Sequence, residues 1–161
     1  MYSCSEITSW RKRNREIANS GLRMANGGLR IGDGTLDRKD LEKRTKNFSL
    51  RLIGFVANLP KNKVTDVLSY QVLKSGTSIG ANYREANQAE SHDDFIHKIA
   101  IVEKEASESQ YWLELFKDAN IGNQTERDWL LQECSELLAV FTAMGKTAKA
   151  RRAAKRAASR L

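Results

Sequence analysis

SHDDFIHKIAIVEKEASESQYWLELF, Ser91 to Phe116, carries Phe95, Ile99, Val102, Ala106, Ser109, Leu113 and Phe116 at alternating intervals of four and three. A helix turns once in about 3.6 residues, so this spacing gathers the set into one stripe and leaves the charges on the opposite face. Ser91 with Asp94 three positions on resembles a helix N-cap, and Gly122 follows Ile121 as a stop.

The same period recurs on both sides. Upstream, Leu41, Thr45, Phe48, Leu52, Phe55 and Leu59 form a stripe that Pro60 closes. After Lys61-Asn62-Lys63, a second helix presents Leu68, Val72, Ile79, Tyr83 and Ala86. Downstream, Thr125 with Asp128 repeats the capping pattern, and Leu130, Cys134, Leu137, Phe141 and Met144 make the fourth stripe. Rods of similar length joined by short links must lie antiparallel, and stripes repeating near 3.5 favour shallow crossings. The expected fold is all-α: an antiparallel up-down-up-down four-helix bundle over residues 38–145.

A length of 161 residues suits one domain, and one proline with five phenylalanines argues against a turn-rich β fold. No run approaches a membrane span and no signal peptide opens the chain, so cytoplasmic residence and no membrane partner are expected. Residues 1–37 read as a disordered Gly-rich leader: five of the ten glycines fall between Gly21 and Gly34, with few large apolar groups. Within it, Gly21-Leu22-Arg23 is echoed by Gly28-Leu29-Arg30. A phosphate loop is not expected, because Gly32-Asp33-Gly34 and Thr35 supply no lysine.

The net charge of +7 is unevenly spread, at +2 for residues 1–37, −2 for 38–145 and +7 for 146–161. The basic excess therefore resides in an Ala/Arg/Lys-rich tail that could continue the fourth helix. Its cations are Lys146, Lys149, Arg151, Arg152, Lys155, Arg156 and Arg160. Spread around a helix axis, they leave no apolar face to dock on the bundle, so the tail is expected to be exposed. Without aromatic or amide side chains it should bind the phosphate backbone of RNA or DNA, largely independent of sequence. The plainer alternative is a solubilising extension on a structural or protein-interaction module with no nucleic-acid binding.

No catalytic site or cofactor is expected. Helix bundles that hold two metals use Glu-x-x-His, and only Asp94-x-x-His97 comes near it, so His92 and His97 read as helix-end residues. Cys4 and Cys134 fit no disulfide or zinc pattern, and Cys134 reads as core. Gly76 and Gly80 share one helical face, where missing side chains would admit a neighbouring helix closely. Asn82, Arg84, Glu85, Glu105 and Glu108 border the apolar seams, either as a solvated flank or as a hydrogen-bonded network between helices or subunits. Trp112, Leu115, Trp129 and Leu131 widen the apolar surface beyond one core, which favours self-association.

Ser78-Ile79-Gly80-Ala81-Asn82-Tyr83-Arg84-Glu85-Ala86, then Asp94-Phe95, then Lys104-Glu105-Ala106-Ser107-Glu108 leading to Tyr111-Trp112-Leu113, resembles the bacterial four-helix-bundle proteins of the 23S rRNA intervening-sequence family. The likeness covers about residues 38–145, leaving the leader outside. It implies a ring-like homo-oligomer, a pentamer, without enzymatic activity, in which Ser78, Asn82, Glu85, Glu105, Glu108 and Trp112 carry structural or interface roles. The family is similar to the accessory protein of diversity-generating retroelements, which implies nucleic acid and a reverse transcriptase as partners.

Overall fold

A computed structural model describes residues 23–25, 28–31 and 34–159, with side chains from Asp37 to Ser159. Three short strands, β1 (Arg23–Ala25), β2 (Gly28–Ile31) and β3 (Gly34–Leu36), precede four helices: α1 (Arg38–Ala57), α2 (Lys63–Asn87), α3 (His92–Asp118) and α4 (Gln124–Ala158).

The strands fall within the leader expected to be disordered, at residues 23–25, 28–31 and 34–36. β1 pairs antiparallel with β2, Arg23 opposite Arg30 and Ala25 opposite Gly28, and β2 with β3, Ile31 opposite Gly34. The sequences between paired ends are Asn26-Gly27 and Gly32-Asp33, two-residue connections of the kind that favour hairpins. The Gly-Leu-Arg echo thus places its second copy in β2 opposite Arg23 in β1. Residues 1–22, and with them the rest of the leader, lie outside the described residues.

Helix starts follow local chemistry. The Asn62 side chain accepts from the backbone N–H of Val64 and Thr65, and Thr65 returns a contact to the Asn62 N–H, a reciprocal cap that satisfies donors the helix leaves free. Ser91 accepts from Asp94 N at 3.1 Å, as its sequence suggests. At α4 the cap is Asn123, accepting from Glu126 N at 3.1 Å, two residues before the expected Thr125. The reversal is completed early because Asn120 and Gly122 take φ of 51° and 81°.

Each helix packs on its sequence neighbours and α1 closes the square against α4, the up-down-up-down arrangement. The core is the union of the four stripes. Leu41, Phe48, Leu52, Val72, Ile79, Ile99, Val102, Leu113, Phe116, Leu130, Leu137 and Phe141 are buried. Ile96 rather than Phe95 is the first buried residue of α3, and Leu59 and Leu68 are half-buried. Gly76 and Gly80 do admit α1 closely: a Cβ on Gly76 would overlap Leu52 Cδ2, and one on Gly80 would lie 3.4 Å from Thr45 Oγ1. Across from them, Ser109 Oγ donates to Ser75 Oγ at 2.9 Å, satisfying two buried hydroxyls between α2 and α3.

Candidate nucleic-acid interface

The boundary drawn at residue 145 falls inside α4, which runs without interruption for 35 residues, about 52 Å. Met144, Gly145 and Ala148 are buried on its inner side, so the expectation that the tail has no face to dock is corrected at its base. A small residue suffices there because His92, at the start of α3, sits against the same turn, with its Nε2 3.0 Å from Ala148 O. Beyond Ala148 the helix carries Lys149, Arg151, Arg152, Lys155 and Arg156 with no acidic residue. Arg152 is half-buried and the other four are exposed, as is Lys146 on the turn before. Arg160 lies outside the described residues. Arg152 NH1 and Arg156 NH2 reach Asp93 at 3.3 and 3.4 Å. Lys146, Lys149 and Lys155 join no ion pair among the described residues. This end of the bundle thus extends into a narrow cationic helix with alanines between its charges.

The six residues implied by the resemblance lie on two helices packed together, Ser78, Asn82 and Glu85 on α2 and Glu105, Glu108 and Trp112 on α3. Lys98 Nζ donates to Glu85 Oε2 at 3.0 Å, and the Ser75–Ser109 pair lies further along the same seam, fixing the α2–α3 register. In that register Ser78 is level with Glu105. Ser78 and Asn82 nevertheless spend their donors on their own helix, on Lys74 O at 2.7 Å and Ser78 O at 2.9 Å. Trp112 Nε1 donates to Glu108 Oε1 at 3.3 Å, within α3. The Glu105 carbonyl lies 2.7 Å from Ser109 Oγ and shares the single hydroxyl proton that Ser109 offers to Ser75. Of this set only Glu85 bridges two helices among the described residues, and the pairing with Glu85 raises the Lys98 ammonium above its ordinary value.

Sequence reasoning missed three features. One is an ionic seam between α1 and α4: Arg44 Nε meets Glu133 Oε1 at 2.7 Å, Arg44 NH2 meets Glu136 at 2.9 Å, and Arg51 grips Glu126 through two nitrogens. Arg44, Arg51, Glu133 and Glu136 each flank a stripe residue by one position, and charge beside a seam was the available signal. The second is Arg127, buried, donating to Phe116 O, Ile121 O and Asn120 Oδ1 where α3 ends, so that a cation faces the negative end of the helix. The third is the location of exposed apolar surface. Trp112, Trp129 and Leu131 pack partly into the core, and Arg51 covers the Trp129 ring at 3.6 Å. The exposed groups are instead Val64, Val67 and Tyr70 on α2, Leu50 and Ile53 on α1, and Tyr111 on α3. Val64, Val67, Tyr70 and the half-buried Leu73 recur every three residues, a ridge across the outward side of α2.

Cys134 is buried, and burial pushes its thiol well above the ordinary range, so it is chemically quiet. Among the described residues no group of three or more His, Cys, Asp or Glu could hold a metal, and no helix is long and apolar enough to cross a membrane.

Fold and surface together define a four-helix bundle whose last helix outruns it as a basic rod. The profile of the 23S rRNA-intervening sequence protein family matches residues 39–143. The chain belongs to that family. A crystal structure from Bacteroides thetaiotaomicron, of a protein with unknown function from the S23 ribosomal protein family, is similar over 68% of this chain and 98% of its own, with 34% identity and a TM-score of 0.62. No curated protein matches the chain. The α4 rod beyond residue 143 lies outside the family match.

Proposed function

We propose that this protein is a non-enzymatic, self-associating scaffold that binds RNA or DNA through the phosphate backbone. The observation that carries the reading is the run of five cations after Ala148 on a continuous helix with no acid among them. Phosphate binding needs positive charge and releases counterions, and it needs no base-reading group. Lys146, exposed on the turn before, adds to the same field. The base of the rod packs on α3 through the buried Ala148 and its contact with His92, so its charges project from one end of the bundle.

Self-association rests on the exposed Val64, Val67 and Tyr70 of α2, with Leu50 and Ile53 exposed on α1, since large exposed apolar groups mark interfaces. Five copies is the number the resemblance implies, and five rods would bind with avidity. The narrower form of the proposal, also from the resemblance, places the protein beside a reverse transcriptase or with ribosomal RNA insertions in the cytoplasm. The same ridge favours a second reading, a protein-interaction module that binds no nucleic acid.

A gel shift with a generic structured RNA at two salt concentrations separates the two. The comparison chain should end at Lys149, because a cut after residue 145 would remove the buried Ala148. Ending there removes five cations, taking the net charge from +7 to +2. Loss of the shift, and loss of its salt sensitivity, supports the proposal. An unchanged shift contradicts it.

A further inference from the structure

Asp93 stands where a phosphate would be drawn. Arg152 and Arg156 are one turn apart on α4, and the two oxygens of the one carboxylate take one guanidinium each, Oδ1 at 3.3 Å and Oδ2 at 3.4 Å. The reach is built in, because His92 beside Asp93 contacts Ala148 O and holds the start of α3 against this part of α4. We infer that Asp93 is an intramolecular competitor for nucleic-acid phosphate, occupying Arg152 and Arg156 in the free protein and giving them up when a phosphate arrives. The inference rests on the reading of the α4 rod as the phosphate-binding element.

The contacts suit exchange rather than permanence. The side chain of Asp93 is 57% exposed, with Arg152 at 37% and Arg156 at 65%, so water and salt screen the pairs and each is weak. A phosphate offers an anion of the same kind and adds the entropy of released counterions. Asp94, in the same first turn, contacts the Glu90 and Ser91 segment and joins no ion pair among the described residues. It therefore provides a control of equal charge. On this account the rod has two classes of cation: Lys149 and Lys155 are open to phosphate at once, whereas Arg152 and Arg156 are released only on binding.

The test measures affinity for a generic RNA hairpin across a salt series. Replacing Asp93→Asn should tighten binding about three- to tenfold near 0.1 M salt and steepen the logarithmic salt slope by about one to two, while Asp94→Asn stays within about twofold of the native chain. Adding Arg152→Gln and Arg156→Gln to Asp93→Asn should erase the gain. Should Asp93→Asn melt early, the pair Arg152→Gln/Arg156→Gln in the native background decides: it must cost less affinity than Lys149→Gln/Lys155→Gln. If the chain ending at Lys149 binds as the full chain does, the rod reading itself fails. If that chain loses binding but Asp93→Asn matches the native chain or Asp94→Asn, or the arginine pair costs as much as the lysine pair, the competitor role is overturned and the rod reading stands.

Discussion

Arg44 Nε and Glu133 Oε1 lie 2.7 Å apart with their side chains 8% and 2% exposed, a nearly dry ion pair joining the first helix to the last. Removing one partner strands the other, which costs about 3–5 kcal/mol, whereas apolar replacement of both can be neutral. Arg44→Met should therefore lower stability by about that amount in urea denaturation, and Arg44→Met with Glu133→Leu should recover most of it.

Burial raises the Glu133 carboxyl above its ordinary range, against the lowering pull of Arg44. A raised folded-state value means the native protein holds this proton more tightly than the unfolded chain. The contribution therefore favours folding below the unfolded value and fades as pH climbs through the folded one. Glu133→Gln removes the titration. Its stability relative to the native chain should move in the variant's favour as pH rises above the ordinary carboxylate value of about 4, measured by denaturation at each pH.

Two glycines in one bundle should respond oppositely to alanine. Gly54 has open space around the position of a Cβ, so Gly54→Ala should stabilise by up to about 1 kcal/mol through helix propensity. At Gly76 the same propensity gain meets overlap with the buried Leu52, and overpacking of about 1–3 kcal/mol should leave Gly76→Ala less stable. Thermal melting distinguishes them by sign.

What the sequence made legible was what is local in it. The four stripes, the cap at Ser91 and the close approach at Gly76 follow from spacing and residue type within a few positions, and the structure has them all. Thr125 gives way by two positions to Asn123, because the start of α4 is set by the tertiary turn at Asn120 and Gly122 rather than by the stripe, and Ile96 replaces Phe95 as the first buried residue of α3. At the candidate interface the cations were plain, but the burial of Ala148 and the pairing of Arg152 with Asp93 depend on α3 lying alongside, a relationship 59 residues distant in sequence. The outward ridge on α2 escaped notice because Leu68 and Val72 already filled an inner stripe.

Gly122 should be unforgiving. Its φ is 81°, and a Cβ would lie 2.5 Å from Phe55 Cε2 and 2.8 Å from Leu59 Cδ2. Gly122→Ala combines a left-handed backbone with overlap against a ring, and should cost at least about 2 kcal/mol in chemical denaturation.

The ridge on α2 predicts its own disruption. Val67→Glu with Tyr70→Glu places charge on two exposed positions, so the fold should survive with an unchanged circular dichroism spectrum. Sedimentation should then show a species near the 18.2 kDa single chain, where the proposal expects the native chain to be larger. A native chain that is itself monomeric at micromolar concentration would remove self-association from the account.

The most direct measurement is the salt dependence of RNA affinity for the native chain and for the chain ending at Lys149. If the α4 rod neutralises about four to seven phosphates, the native logarithmic slope should lie near −3 to −6 and the truncated slope should fall toward zero, with the bundle still folded. Equal affinity and equal slope for the two chains would place any nucleic-acid contact on the bundle surface and contradict the assignment of the rod.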